Sequence, residues 1–368
     1  MNNLDKQYLN ILKDILQNGY EDENRTDVNT RFVLGREIKH NMSEGFPILT
    51  TKRVPFRIVK EELLWFISGS SDIRKLWEYD VKIWDGDWYK NYCKNTSSPY
   101  TLSEMKEFAL NGDTSFHKSI WDLGPIYGRQ WRNWEVPRIS PTTLEDTIDT
   151  LIEVGNGVTD DMLHSLADRL IEERDSNKPI DQLYNVIETL KENPTSRRMI
   201  VNAWNVGDLD KMTLPPCHYG FELRTRPLSI TERLELLRKK TKVSLRLDTS
   251  EIEKVLKEHY IPERGVSLIW NQRSADFPLG VPFNITSYGI LLCMIADEVR
   301  MVPDQLIGRF TDCHIYKNQI DGVKEQLERE PKELPTLHVR DGIYSRGDHD
   351  FILENYNPHP TIKFPLTN

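Results

Sequence analysis

A mixed α/β (α+β) fold is predicted by three features of this 368-residue sequence. Residues 4–18 and 55–68 repeat apolar positions at helical spacing, the second stretch opened by Pro55 and ended by Gly69-Ser70-Ser71. Residues 199–204 (MIVNAW) and 266–271 (VSLIWN) are short runs rich in β-formers. A longer apolar run with helical spacing, 285–299, follows Pro282-Phe283-Asn284. With 38% hydrophobic and 10% aromatic residues the chain has the material for a large core, which excludes a disordered or fibrous class.

Between these elements lie three stretches of different texture. Residues 89–120 read as polar and irregular, 139–180 as two charged helices split by Gly155-Asn156-Gly157, and 225–264 as a Lys/Glu/Arg-rich segment helical around 230–240 and 250–259. All three are expected to be surface insertions in one catalytic domain spanning 1–368, since no repeat or Pro/Gly linker divides the chain.

A formal charge of −9 argues against a broad grip on a nucleic-acid backbone, so any anion must be held by a local cluster of Arg or Lys. Met1 to Tyr20 has no uninterrupted apolar core, so neither a signal peptide nor a membrane span is expected there, and a cytoplasmic protein is. Cys93, Cys217, Cys293 and Cys313 are widely spaced with no C-x-x-C, which suggests free thiols and no zinc or other metal site.

Cys217, in LPPCHYG, stands after a turn made by Pro215-Pro216. A cysteine attacks only as its thiolate, so a positive neighbour is the feature to seek, and Arg197-Arg198 and Arg273 are candidates that would also bind a phosphate. The alternative is a buried Cys217 serving as a small hydrophobe. A Cys-His protease signature is absent, and His218, adjacent on an extended stretch, would point away from the sulfur. Neither G-x-x-x-x-G-K-[ST] nor G-x-G-x-x-G occurs, which removes the common triphosphate and dinucleotide readings.

Nine segments in order, FPILTTKR (46–53), EELLWFISG (61–69), KIWD (82–85), LGPIYGRQWR (123–132), SRRMIVNAWN (196–205), LPPCH (214–218), NQRSADFPLGVPFNITSY (271–288), DCHIY (312–316) and NPHPTIK (357–363), resemble the thymidylate synthase family. The resemblance implies that family's mixed sheet packed with helices, and a homodimer binding dUMP and 5,10-methylene-tetrahydrofolate as cosubstrate. It implies that Cys217 adds to C6 of the pyrimidine, with Glu62, Tyr127 and His218 in the catalytic group. Arg25, Arg273, Ser274 and the partner subunit's Arg197 and Arg198 would hold the phosphate, the arginines through guanidinium forks, and His314 and Tyr316 the ribose. Asn284 would read O4 and N3–H of uracil, where related deoxycytidylate hydroxymethylases carry an aspartate. For the folate it implies Trp84, Trp88, Asp276, Lys52, Leu214, Leu279, Gly280 and Phe283, Asp276 also serving on the substrate side.

The same resemblance divides at the product. Addition of the thiolate makes C5 nucleophilic, and after one-carbon transfer an exocyclic methylene is left on the bound base; hydride return gives dTMP and dihydrofolate, water gives 5-hydroxymethyl-dUMP and tetrahydrofolate. The family closes with an R-T-G-T-G-T-like loop and a terminal Val or Ile. This chain has Arg25-Thr26-Asp27-Val28-Asn29-Thr30, ends Leu366-Thr367-Asn368, and carries Pro278 where the family has an aromatic. An amide in place of a terminal aliphatic removes about 1.5–3 kcal/mol of apolar burial and invites water. The expectation leans to a deoxyuridylate hydroxymethylase, which would point to a bacteriophage and its host cytoplasm; thymidylate synthase is the alternative, and a silent nucleotide-binding partner the second.

Overall fold

The computed structural model describes residues 2–22, 28–97, 99–113, 115–135, 178–241, 249–340, 342–343 and 351–366, with Thr159, Asp161, Met162 and Ser165. Arg25 with the next two loop residues, most of 139–180 and the terminal Thr367-Asn368 lie outside the described residues.

Helix α1 (Asn3–Asn18) starts where the Asn2 side chain accepts the Asp5 N–H, and its apolar stripe buries Leu4, Tyr8, Ile11, Leu12 and Ile15. Strands β1 (Tyr20–Asp22) and β2 (Thr30–Asn41) follow, then α2 (Phe56–Ile67), which runs one residue inside each predicted bound. The stretch predicted to be irregular, 89–120, is largely helical. It holds the end of α4 (Asp85–Asn95), which follows the short α3 (Arg74–Trp77), and then α5 (Leu102–Leu110), fixed by a Thr101/Glu104 capping box. Polar composition had masked helices whose buried contacts are few.

Helices α6 (Tyr127–Arg132) and α7 (Gln182–Glu192) precede β3 (Ile200–Asn202) and β4 (His218–Pro227). The expected helices of the third stretch are present as α8 (Ile230–Thr241) and α9 (Thr249–Glu258), sharing a small cluster of Leu237, Leu256 and Ile261 apart from the main core. Then come β5 (Arg264–Asp276), α10 (Gly280–Glu298), β6 (Val302–Tyr316) and α11 (Ile320–Leu327), and a hairpin of β7 (Thr336–Val339) and β8 (Phe351–Glu354).

The main sheet has six strands in the order β1-β2-β6-β5-β4-β3. Every pairing is antiparallel except β5 with β6. A parallel pair needs a crossover, and α10 supplies it. That helix is apolar on nearly all sides and mostly buried, packed on β5, β6 and α2. It is the one described helix long and apolar enough to cross a membrane, and its burial gives it a different solvent.

Where α6 meets α2 the backbones nearly touch: a Cβ on Gly128 would lie 2.1 Å from the Phe66 carbonyl oxygen. Gly128→Ala is therefore expected to cost about 1–3 kcal/mol through forced separation of the two helices, read as a lower urea midpoint with unchanged m-value.

Candidate active site

One large cavity, 1660 Å³, opens beside the carboxyl ends of the parallel strands, walled also by α2, α4, α6 and the start of α10. Small-molecule sites usually measure about 300–1,000 Å³, so this one has room for two ligands side by side.

Cys217 lines it, immediately before β4. Its backbone N–H donates to the Tyr127 hydroxyl at 2.8 Å and its carbonyl accepts from the Arg273 N–H at 2.9 Å. The Arg273 guanidinium donates to the carbonyls of Pro216 and Pro215 at 2.9 and 3.0 Å and lies 5.1 Å from the Trp204 ring. A fixed cation thus stands on the turn that presents the thiol, as nucleophile activation requires. Burial pushes the thiols of Cys293 and Cys313 up to about 12, which keeps both protonated.

Glu62, on α2, lines the cavity. Burial raises its carboxyl to about 7, opposed by the Trp84 indole N–H, which donates to it at 2.8 Å. Trp84, Phe66 and Tyr127 form an aromatic wall around it, Tyr127 stacked on Phe66 at 4.9 Å. Tyr127 holds φ 26°, a strained conformation for a bulky residue, at the point where its hydroxyl meets Cys217. His218 does not face the sulfur as a base: its Nδ1 is 2.8 Å from the Tyr288 hydroxyl, and burial pushes the imidazole down to about 3, so it is neutral.

At the other wall, Asn284 sits inside the first turns of α10, which begins at Gly280. Its Oδ1 accepts from Gln272 Nε2 at 3.1 Å, which fixes the amide with its face to the cavity. Ser274, His314 and Tyr316 line the same end, with His314 Nδ1 held at 2.5 Å by Asp312. Asp276, raised by burial, accepts the Leu279 N–H at 3.0 Å and stands beside Leu279, Gly280 and Phe283 on the wall, with Leu214 opposite.

Two expectations, for Trp88 and Lys52, differ from what is observed. Trp88 does not line the cavity: one helical turn beyond Trp84, it is 1% exposed, its indole N–H donates to Ile120 O, and its ring stacks on Tyr92 and Trp121. Lys52 is buried behind the wall, its ammonium donating to the Pro278 carbonyl and lying 4.6 Å from the Phe364 ring centroid. Burial lowers its pKa to about 7, against the pull of Asp276. Arg197 and Arg198 are exposed on the turn before β3 and do not line the cavity of their own chain. Gln272 and Phe364 are wall residues that motif reading passed over, and Leu366 of the tail joins them. The tail carried a usable signal, apolar residues spaced by two in a Pro-containing, non-helical terminus.

A family model described as thymidylate synthase matches residues 6–368. The chain belongs to the thymidylate synthase family. A protein named thymidylate synthase from Malacoplasma penetrans (strain HF-2) is 35% identical over 364 residues, covering 97% of this chain and 98% of that one. Two of the same name from Listeria monocytogenes, serotype 4a (strain HCC23) and serotype 4b (strain CLIP80459), are 32% identical over 388 residues, covering 98% of this chain and 99% of theirs. Membership makes the chain a one-carbon transferase that moves a methylene unit from methylenetetrahydrofolate to dUMP. The cavity suits both thymidylate synthase ligands: its wall carries a thiol, a side-chain amide and a cation, and a buried carboxylate among apolar side chains for a flat, hydrogen-bonding heterocycle. Among the described residues no group of three His, Cys, Asp or Glu is arranged to hold a metal.

Proposed function

We propose that the chain converts dUMP to dTMP. The supporting observation is the corner around Glu62, where Trp84, Phe66 and Tyr127 are 6%, 2% and 3% exposed, so bulk water is held off the place where the base would lie. Cys217 attacks C6 of uracil and carries the covalent adduct. Arg273 steadies the turn and, with Ser274 and Arg25, receives the phosphate. Asn284 presents Nδ2–H to O4 and the second lone pair of Oδ1 to N3–H, while His314 and Tyr316 take the ribose. Glu62 moves a proton through ordered water to O4, and Tyr127 and neutral His218 hold the surrounding donors and acceptors in place. Folate, when bound against Trp84, Leu214, Leu279, Gly280, Phe283 and Asp276, supplies the one-carbon unit and the hydride. Water exclusion then directs the adduct to dTMP rather than to the hydroxymethyl product.

A second reading, hydroxymethylation, is favoured by the tail: Leu366, a residue of the cavity wall, is 59% exposed, which leaves water a way to the site. Incubation with dUMP and methylene-tetrahydrofolate, followed by mass spectrometry of both products, separates the two. dTMP with dihydrofolate supports the first; 5-hydroxymethyl-dUMP with tetrahydrofolate overturns it in favour of the second, and no product returns the silent partner.

The working unit is a homodimer in this reading, the exposed Arg197 and Arg198 of one protomer reaching the other's phosphate site, and the three inserted stretches are elaborations of a single domain. Asn284→Asp places a carboxylate against O4. The expected outcome is a loss of at least about 100-fold in kcat/KM for dUMP with turnover of dCMP gained, measured in competition assays.

A further inference from the structure

Gln319 is 1% exposed, and its side-chain amide touches three separate parts of the site. Its Oε1 accepts the Tyr316 backbone N–H at 3.1 Å, at the nucleotide end. Its Nε2 lies 3.3 and 3.2 Å from the two carboxylate oxygens of Asp276. The same nitrogen lies 3.3 Å from the Pro365 carbonyl, between Phe364 and Leu366, the two tail residues on the cavity wall. An amide carries two N–H donors, so both contacts can be made at once.

The tail is laid on a seat shaped for it. A Cβ on Gly322, three residues beyond Gln319 on α11, would lie 2.7 Å from Phe364 Cε1 and 3.0 Å from Ile362 Cγ2. Phe364 in turn covers the buried Lys52. Pro365 lacks an N–H, so its carbonyl is the backbone group it has to offer, and Gln319 takes it.

We propose that Gln319 is a positioning residue that couples seating of the tail to the orientation of Asp276. The carboxylate is aimed into the cavity by the same amide that holds the tail down, so a displaced tail frees Asp276 and a reoriented Asp276 loosens the tail. This rests on the reading of Asp276 and the tail as the folate end of the site; the link between tail and amide does not.

The test uses the full chain with Gln319→Glu, which keeps size and loses both donors, and Gln319→Ala as the second variant. Digestion by a carboxypeptidase, in the absence of ligands, is expected to remove residues beyond Ile362 about tenfold faster in the variants, the loss of one buried hydrogen bond of about 1.4 kcal/mol. Circular dichroism melting of the core stays within a degree or two of the parent. With substrates, KM for the folate rises about tenfold and that for dUMP less than about twofold, and the effect vanishes when residues 364–368 are deleted from both parent and variant. Tail digestion at the parental rate overturns the coupling whatever the turnover. A folate effect that persists in the shortened chain shows that Gln319 acts without the tail and overturns it too. Faster digestion with no turnover in the parent retains the link and discards the reaction assigned above.

Discussion

Replacing Cys217 by serine is expected to lower kcat on dUMP by at least about 10³-fold and to abolish the covalent adduct seen by mass spectrometry of the denatured ternary mixture. A hydroxyl has the geometry of the thiol but not its population of anion near neutral pH, and the fixed Arg273 cannot repair so large a difference in acidity. dUMP binding by the same variant should be retained within a few-fold, because phosphate, ribose and base contacts come from other residues. Equal turnover in Cys217→Ser and the parent would remove the thiolate mechanism altogether.

Glu62→Gln should divide activity from stability. The glutamine still accepts the Trp84 N–H but can carry no proton for the base, and kcat is expected to fall about 10²–10⁴-fold, with the limb of the pH profile near 7 lost. Stability moves the other way. Burial raises the folded carboxyl from 4.5 to about 7, so ionisation is harder in the folded chain than in the unfolded one. The folded state is thus penalised progressively as pH rises through that interval, at about 1.4 kcal/mol per pH unit. Below pH 4 the variant and parent should melt alike. Above pH 7.5 the variant should be more stable by up to about 3 kcal/mol, measured by urea unfolding across pH. A variant less stable than the parent at pH 8 would mean that the carboxylate is solvated and not a trapped acid.

Much of the scaffold is legible in the sequence itself. The apolar spacing read at 4–18, 55–68 and 285–299 marks the helices Asn3–Asn18, Phe56–Ile67 and Gly280–Glu298, the last of which starts earlier than its spacing shows, and Pro215-Pro216 announces the turn that carries Cys217. What spacing cannot convey is depth. Trp84 and Trp88 are four residues apart and equally aromatic, yet one borders the cavity and the other lies in the core, because the packing of α3 and the Trp121 segment decides which face of α4 is covered. Lys52, which the resemblance assigns to the folate, is instead buried against Pro278, a contact with a residue 226 positions away. Glu62 sits next to a second glutamate, and its raised acidity follows from tertiary burial alone. The parallel pairing of β5 with β6, which brings Asp276 beside His314, was likewise out of reach of local pattern.

That pairing scheme bears on how the chain becomes active. Strand β2 lies near the start of the sequence, yet its partner is β6, with Thr30 opposite Tyr316 and Asn41 opposite Gln305. Zipping them closes a loop of more than 260 residues, and chains dominated by such distant pairings fold slowly and through intermediates. Local helices and the β4-β5 ribbon need no such closure. The β5–α10–β6 unit, which sets Asp276 beside His314, needs no such closure, so the wall carrying Cys217, Asn284 and His314 is expected to assemble before the N-terminal strand is zipped on.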